Sequence, residues 1–471
     1  MIFLPCHHYC ACVIAIATVV NIIIITNYFW AQDFALKYKI SSSASKWSPQ
    51  FLIQSNITST LLVPEFAWMN GAERYSPCPL HFFVYSNIPF NFSSYLEDKV
   101  MESNKEGSRP FENANLDLAL IKLFRTSPCR TDFAQEANLF VVPYPHCSHC
   151  AFGGHGYQAG CRQVPIDEVN VVLNSLKYYR NESYKEKHLF LASWGTGMTL
   201  KKFNDEAPLI LTVGPKQRQK NAVIVPMVNV RPEFQPSAEI AANWSLRPRK
   251  YIFSYFFGAM NKKMRGGGRS NRQWRVYFFD DINRNAEGNA SLAGMPFLLH
   301  KFSDADPFDE EMVLNSYKDS IFCPVLPGDL CWQQRFYDVI LAGCLPLVLE
   351  WTDPNRSESS RSWFQPSGCS IYDAYPFMKG QFGFRDDIEI DYDEFVVSVA
   401  AHANNEEDVS SLRITMDQLV GDTLKLQRMQ LALRSAAQRL SYGLGEDAHQ
   451  SNDAFANILR SLSYLLSHEG R

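Results

Sequence analysis

The sequence lacks a marked excess of charge of either sign. Its 45 Lys and Arg residues stand against 49 Asp and Glu, which leaves a formal net charge of −4 with His neutral. Nonspecific nucleic-acid binding needs a basic domain or stripe, so the composition excludes nucleic acid as a partner. The chain also has no internal repeat at a solenoid period, which excludes the stacked-repeat architectures.

Disorder is excluded as the main state of the chain. Of the 471 residues, 46% are hydrophobic and 13% aromatic, whereas disordered chains are poor in both. A mean hydropathy of −0.20 excludes a multi-span membrane protein. At about 150 residues per domain, the length indicates two or three domains.

Charge is absent from one stretch at the start, because Ile2 to Gln32 contains no Asp, Glu, Lys or Arg. About 20 apolar residues in a helix cross a hydrocarbon core of roughly 30 Å, and residues 9–31 are long enough for this. The stretch has no basic start, and the aromatic Tyr28-Phe29-Trp30 lies near its end, as in an interfacial belt. We interpret residues 9–31 as an uncleaved signal-anchor after a cytoplasmic tail, residues 1–8. A cleaved signal peptide is the alternative.

The orientation of this span receives two opposing signals. Lys37, Lys39 and Lys46 follow the span, which by the positive-inside rule favours a cytoplasmic body, although long domains translocate largely regardless of charge. Candidate N-glycosylation sequons favour a luminal body instead. They begin at Asn56, Asn91, Asn181, Asn243, Asn289 and Asn355. We expect a luminal body.

Nine of the 12 cysteines follow the span, so at least one of them has no partner within the body. In an oxidising lumen this pattern indicates several disulfides and a buried thiol. Cys147 and Cys150 have further Cys and His neighbours, which fits a disulfide or structural cluster, a metal site or a redox pair. No second CxxC lies at the usual zinc spacing, so no metal ligands are assigned.

The pattern of apolar runs indicates an α/β fold with two Rossmann-like domains facing across a cleft. Residues 32–75 have no sustained period and are interpreted as a stem. Short apolar strands alternate with amphipathic helices in residues 76–245 and again in 246–440, which is typical of parallel sheets. Residues 441–471 are expected to form a C-terminal tail. The predicted strands are residues 81–85, 139–142, 189–192, 209–213, 222–225, 251–257, 276–279, 321–322 and 345–349, and the predicted helices are 116–124, 169–179, 337–342 and 411–440.

The most informative segment, residues 320–349, has the order strand, Gly-bearing loop, helix, Gly-Cys turn, strand. Pro327-Gly328 ends the first strand, and the helix after it directs free N–H groups and its positive dipole end at the loop, a suitable place for a diphosphate. Arg335 in the first turns can bridge two phosphate oxygens. Asp338 at i+3 can orient Arg335 or accept a ribose hydroxyl. The alternative is a helix-surface ion pair without function.

This segment resembles the hallmark of the exostosin glycosyltransferases, family 47, which have the GT-B fold. The matching residues are Phe322-Cys323, Pro327-Gly328, Arg335, Asp338 and Gly343-Cys344-Leu345-Pro346-Leu347-Val348. Weaker similarities in the same order extend over about residues 78–440. One departure is that Gln333 occupies the position of the family's Ser, so an amide replaces a hydroxyl.

The resemblance implies an inverting transfer of a sugar from a nucleotide-sugar to a glycan or polysaccharide hydroxyl, by a Golgi enzyme. The implied donor-binding residues are Gly328, Gln333, Arg335, Asp338 and Gly343. Arg272, in a basic cluster around a triple glycine, is a candidate diphosphate contact or part of a surface loop. Glu350, at the end of the last strand, is a candidate general base or binds donor-sugar hydroxyls. Asp280, Asp304, Asp306 and His155 are further candidates for the base.

No cofactor is required by this interpretation, since the helix dipole and basic residues can take the role of a divalent metal; such a metal is left open, although the sequence has no decisive signature for one. The expected partners are the nucleotide-sugar, the glycan acceptor and the membrane, with homo- or hetero-oligomers of glycosyltransferases left open. Two other functions stay open: a catalytically silent partner of an active transferase, which the Gln333 departure suggests, and a membrane-tethered glycan-binding protein. The acidic run 386–394 is interpreted as a solvated loop.

Overall fold

The computed structural model describes residues 78–86, 88, 116–145, 166–192, 209–213, 222–227, 249–258, 297–302, 309–326, 333–351, 375–401, 406–442 and 452–468. The chain divides into two units, Met1–Asn70 and Gly71–Arg471, and every described residue belongs to the second. Within the described ranges no helix combines the length and the apolarity that crossing a membrane requires. The predicted span, residues 9–31, lies outside them.

The first half of the described body contains a parallel sheet, the N-terminal sheet, with its strands in chain order. Its strands are β1 (Phe82–Val84), β2 (Leu139–Val141), β3 (His188–Ala192), β4 (Leu209–Thr212) and β5 (Ala222–Ile224). Helices α1 (Leu116–Thr126), α2 (Ile166–Ser175) and α3 (Glu182–Lys185) lie between them. The short strands β2, β4 and β5 are buried along their whole length, as expected for parallel strands covered on both faces.

The second half contains another parallel sheet, the C-terminal sheet, in the order β7-β6-β8-β9-β10. Its strands are β6 (Tyr251–Gly258), β7 (Leu298–Phe302), β8 (Ser320–Pro324), β9 (Leu345–Trp351) and β10 (Val397–Ala401). The helices of this half are α4 (Glu310–Lys318), α5 (Gln334–Leu341), α6 (Glu406–Gly421), α7 (Thr423–Leu440) and α8 (Ala454–His468). The α/β class with two parallel sheets is therefore confirmed.

The strand order of the C-terminal sheet reverses between β6 and β8. The chain goes from β6 outward to β7 and then returns to β8 on the other side of β6. Such a reversal opens a crevice outside the carboxyl ends of the two central strands, where open α/β sheets bind their ligands. The topology thus selects the ends of β6 and β8, and the loop after β8, as the place to look for a site.

The segment expected as a C-terminal tail contains α8, which packs on the N-terminal sheet. The Phe455 ring meets the Phe124 ring edge-on with centroids 5.0 Å apart, and the Ser463 hydroxyl donates to the Pro79 carbonyl at 2.8 Å. The Tyr442 hydroxyl, just before α8, donates to the Pro226 carbonyl at 2.9 Å. The last helix is therefore part of the core, and these contacts join the two halves of the body.

Several elements differ from the prediction. The long helix expected over 411–440 is two helices, because Gly421 ends α6 and the Asp422 side chain caps α7 by accepting from the Lys425 N–H at 3.0 Å. Strands β7 and β10 and helices α3 and α4 were not predicted. The strand predicted at residues 276–279 lies outside the described residues. The other predicted strands and helices are confirmed, with ends shifted by a few residues.

Candidate donor site

The carboxyl end of β8 and the start of α5 are held close together. Strand β8 ends at Pro324, and the Gln333 Nε2 atom donates to the Leu326 carbonyl at 3.3 Å, which closes the base of the loop between them. Gln333 is also the N-cap residue of α5, without a hydrogen bond from its side chain to the first turn. Gly328, predicted to approach the donor, lies in the part of the loop that is outside the described residues.

Arg335 lies in the first turn of α5, at this carboxyl end. Its guanidinium carbon is 6.0 Å from the centroid of the Tyr255 ring in β6. Because Phe253 pairs with Phe322, extending that register by two residues places Tyr255 level with Pro324, the last residue of β8. The structure therefore brings Arg335 to the crevice that the strand order opens.

One nitrogen of Arg335 is left for a ligand. Nη1 is buried and makes no hydrogen bond to the part of the chain that the structure describes. Burial disfavours the charged guanidinium, but electrostatic interactions with Tyr317, Tyr255 and Asp338 outweigh it and raise the pKa of Arg335 above its ordinary value. The group therefore stays charged at physiological pH, and the buried N–H groups of Nη1 favour a nearby anion as acceptor.

Asp338 lies one turn further along α5 from Arg335. Its Oδ1 atom accepts from the Gln334 Nε2 atom at 3.1 Å, an i, i+4 bond within the helix. The Asp338 carboxylate also attracts the Arg335 guanidinium, which agrees with the predicted role of Asp338 in orienting Arg335. The two side chains are not free on the surface, as the ion-pair alternative would require.

Tyr255 is a residue that the sequence reasoning did not single out. It lies in a run of aromatic and aliphatic residues of β6 and is 1% exposed, so its pattern indicates only a core position. Its role beside Arg335 depends on the pairing of β6 with β8, which no local signal reveals.

The first turn of α5 is also held by aromatic stacking on Phe336. The Phe336 ring stacks on Tyr375 with centroids 4.8 Å apart, and Tyr375 stacks on Tyr392 at 4.2 Å. The Tyr392 hydroxyl donates to the Pro376 carbonyl at 2.8 Å. Such a rigid support preorganises the neighbouring Arg335 for its ligand.

Gly343 lies away from this crevice, at the amino end of β9. It has φ 78° and ends α5: its N–H donates to the Ile340 carbonyl and the Cys344 N–H donates to the Val339 carbonyl, each at 3.0 Å. This is the Schellman pattern, which favours glycine. The Gly343 carbonyl accepts from Arg249 Nη2 at 2.8 Å. The structure gives Gly343 a helix-ending role and does not bring it to Arg335.

Glu350 is the second-to-last residue of β9, and it pairs with Ala400 of β10. Its backbone thus lies near the carboxyl edge of the C-terminal sheet, on the strand next to β8. That is the edge where a base or a sugar-binding carboxylate is expected.

The remaining predicted residues are mostly outside the described ranges. They are Arg272, the alternative bases Asp280, Asp304, Asp306 and His155, the Cys147–Cys150 cluster and the sequons at Asn56, Asn91, Asn243, Asn289 and Asn355. Asn181 is described, is exposed and caps α3, its side chain accepting from the Ser183 N–H at 3.0 Å. The described residues contain no group of three side chains suited to hold a metal ion.

Two disulfides join described cysteines. Cys78 pairs with Cys129, and Cys323 of β8 pairs with Cys344 in front of β9. The second ties the strand that leads into the donor loop to the strand that ends near Glu350. Two cysteines of the quoted hallmark are thus structural partners.

The chain was compared with known proteins. The model of the family described as "Exostosin GT47 domain" matches residues 78–412. The chain is 22% identical over 312 residues to the Arabidopsis thaliana "Xyloglucan-specific galacturonosyltransferase 1", covering 60% of this chain and 43% of that protein. It is 29% identical over 131 residues to the "Probable xyloglucan galactosyltransferase GT13" of the same plant, covering 28% of this chain and 25% of that protein. The chain thus spans less than half the length of these relatives.

Among solved structures, the chain is similar to Arabidopsis thaliana UGT89C1 complexed with quercetin, at 11% identity and a TM-score of 0.30, covering 81% of this chain and 83% of that one. It is also similar to the catalytic domain of Starch Synthase IV from the same plant, bound to ADP and acarbose, at 11% identity and a TM-score of 0.30, covering 76% and 78%. The family match extends over more than half of the chain and contains the whole of the β8-to-β9 segment. The protein therefore belongs to the exostosin GT47 family.

Proposed function

We propose that this chain is an inverting glycosyltransferase that moves a sugar from a nucleotide-sugar to a hydroxyl of a polysaccharide. The observation that carries the proposal is the charged Arg335 at the switch point of the C-terminal sheet, with a buried Nη1 that has no hydrogen-bond partner among the described residues. A leaving nucleoside diphosphate develops negative charge at its bridging oxygen, and a preorganised cation stabilises that charge. Membership of the GT47 family supports the same reaction.

The reaction needs one displacement at the sugar's anomeric carbon. A base takes the proton of the acceptor hydroxyl, the oxygen forms the new glycosidic bond from one face, and the bond to the diphosphate breaks on the other face. Arg335 and the first N–H groups of α5 receive the diphosphate charge. Glu350 is our candidate for the base because of its place at the carboxyl edge of β9. This scheme uses no resident cofactor, and activity that survives a chelator is expected.

For the acceptor we propose a xyloglucan-like polysaccharide. The support is that the names of both plant relatives specify xyloglucan. The proposed body has the GT-B arrangement, in which the N-terminal sheet serves the acceptor and the C-terminal sheet serves the donor. We propose domain limits of 76–245 and 246–440 for these two halves, with residues 32–75 as the stem.

For the location we propose the Golgi membrane, as a single-pass type II protein with a luminal body. Three features support it: the apolar residues 9–31, the sequons, and the two disulfides, which persist in oxidising compartments. Association with other glycosyltransferases is compatible with such a location.

The test is turnover by the purified full chain across a panel of nucleotide-sugars with xyloglucan as acceptor, scored by release of nucleoside diphosphate. Release that depends on both one donor and the polymer supports the proposal. The absence of release with every donor, together with no measurable binding of any nucleoside diphosphate by calorimetry, would contradict it.

A silent partner is the second candidate, and one observation favours it. Gln333 stands where the family has Ser, and its amide nitrogen is engaged by the Leu326 carbonyl. If the chain is silent, Gln333→Ser will not create turnover and the folded chain will bind no nucleotide. If it is active, Gln333→Ser will keep or raise turnover.

A further inference from the structure

A loop of the C-terminal half exposes an aromatic side chain to solvent. Phe384 is 73% exposed, more than any other large hydrophobic side chain in the described part of the chain. Its φ is 61°, in the left-handed region that a bulky residue rarely adopts. Strained, exposed positions of this kind persist only where the surroundings enforce them, and they cluster at sites of function.

The enforcing group is the buried carboxylate of Glu389. Its Oε2 atom accepts from the Gly380 N–H at 2.7 Å, and its Oε1 atom accepts from the N–H groups of Phe382 and Phe384, the latter at 3.2 Å. One side chain thus fixes three backbone N–H groups of the loop. The expectation of a solvated acidic loop is therefore wrong for Glu389, which is 6% exposed.

The exposed Phe384 ring packs on one side against the backbone of its own loop. A Cβ atom placed on Gly380 would lie 3.8 Å from two carbons of the Phe384 ring, so the ring rests beside this glycine. The loop is also attached to α8, because the Phe382 ring meets the Tyr464 ring edge-on with centroids 5.9 Å apart and Arg460 donates to the Asp387 carbonyl at 3.3 Å. The ring is therefore held in place with most of its surface open.

The residue after Phe384 belongs to a pair of planar polar groups. Arg385 Nε donates to Asp387 Oδ1 at 2.9 Å and Nη2 donates to Oδ2 at 2.5 Å, with both side chains about half exposed. The pair has no net charge, and its outer edges keep free hydrogen-bonding capacity. An open ring, followed in the chain by paired and neutralised hydrogen-bonding groups, offers both kinds of contact that a sugar makes, because a sugar ring has an apolar C–H face and a hydroxylated rim.

We propose that the Phe384 platform, formed by Gly380, Phe384, Arg385 and Asp387, binds a sugar unit of the polysaccharide acceptor. The electron-rich face of the ring attracts the positively polarised C–H groups of a pyranose. A protein partner fits less well, because a stable interface needs about 800 Å² on each side and an apolar centre larger than one ring. This inference rests on the proposed polysaccharide acceptor.

Polymer binding without donor tests it. The full chain in a mild non-ionic detergent is run through native gels that contain xyloglucan, a mixed-linkage β-glucan or a xylan. We expect Phe384→Asn, which removes the ring but suits a left-handed backbone, to weaken retardation by about tenfold in dissociation constant. Phe384→Trp should retain it. The matched control is Phe133→Asn, at another exposed aromatic residue, 58% exposed.

The outcomes separate this inference from the proposed function. Retardation of the wild type by none of the polymers, or equal retardation of Phe384→Asn and the wild type, overturns the platform even if turnover is found. A change in sedimentation with unchanged polymer retardation indicates a protein contact and also overturns it. Because the gels contain no nucleotide-sugar, polymer binding by the Phe384 platform is tested even if the chain shows no turnover.

Discussion

At the scale of single residues, His188 is a buried histidine that is held neutral. Its Nδ1 atom lies 2.8 Å from the Tyr184 carbonyl, which can only accept, so Nδ1 carries the proton and Nε2 accepts from the Tyr85 hydroxyl at 2.7 Å. Burial lowers the pKa of His188 to about 4, against an ordinary 6.5. The group holds the start of β3 and lies in the N-terminal sheet, away from Arg335.

This histidine predicts a loss of stability in acid. The unfolded chain binds the proton more tightly, so the stabilisation is complete above about pH 6.5 and falls as the pH drops towards 4, by about 3 kcal/mol in full. We expect His188→Gln to be less stable at pH 7 and to show a flatter fall in urea midpoint between pH 7 and pH 5. An equal fall in both proteins would contradict the assignment.

Asn181 provides a residue-scale test of topology. Its carboxamide is exposed and its sequon continues to Ser183. In cells we expect Ser183→Ala and Asn181→Asp each to remove one glycan, seen as a gel shift equal to that produced by a glycosidase at this site. Asn181→Asp keeps an N-cap acceptor and so preserves the fold. Mobility unchanged in both variants would count against a luminal body.

The candidate donor residues show what sequence can reveal at this scale. Arg335 and Asp338 were identified because a Gly-bearing loop before a helix is a local pattern with a physical meaning. Tyr255 was missed because its environment arises from strand pairing. Gly343 belongs to the same quoted hallmark, yet its positive φ explains it as a helix end. The spacing of residues in a motif does not show whether a residue contacts the ligand or is needed for its backbone conformation.

At the scale of elements, helix α5 depends on Gly343. With φ 78°, an L side chain at this position costs about 1–2 kcal/mol. We expect Gly343→Ala to lower the free energy of unfolding, measured by urea titration, by that amount, and Gly343→Asn to lower it less, since Asn tolerates the left-handed region. Equal stability of Gly343→Ala and the wild type would show that the helix end relaxes without cost.

The elements were predictable where the apolar pattern was dense. Strands such as β4 and β8 are short, buried runs bounded by polar or turn residues, and a short apolar run of this kind in the sequence predicts a buried strand. Helix α4 was missed because its few apolar residues stand among polar ones and give only a weak helical pattern. Its N-cap is Asp309, whose side chain accepts from the Met312 N–H at 3.1 Å. Strand β7 contains His300 and Lys301, which break the apolar run.

At the scale of the whole molecule, α8 ties the last described residues to the N-terminal half of the body. Leu462 of α8 is fully buried in the core that contains both sheets, whereas Leu424 of α7 is 66% exposed. We expect Leu462→Ala to cost about 2–5 kcal/mol and Leu424→Ala to stay within about 0.5 kcal/mol. Both variants lose the same atoms, so the difference between their stabilities, measured by urea titration, reports the difference in burial. Similar values would mean that α8 is not part of the folded body.

The two-sheet architecture was predictable from the alternation of strands and helices with a break near residue 246. What was not predictable was the return of α8 to the N-terminal sheet, because amphipathicity shows that a helix has an apolar face without showing what covers it. The crevice between β6 and β8 likewise required the strand order, which follows from long-range pairing.

Donor turnover by Arg335 variants tests most directly whether Arg335 stabilises the charge of the leaving nucleoside diphosphate. Nucleoside diphosphate release is measured for the wild type, Arg335→Ala, Arg335→Lys and Arg428→Ala, the last replacing an exposed arginine of α7. Removing a preorganised charge contact lowers kcat by about 100-fold or more, so Arg335→Ala should lose that much, Arg335→Lys less, and Arg428→Ala nothing. Wild-type turnover in a correctly folded Arg335→Ala variant would contradict the central claim.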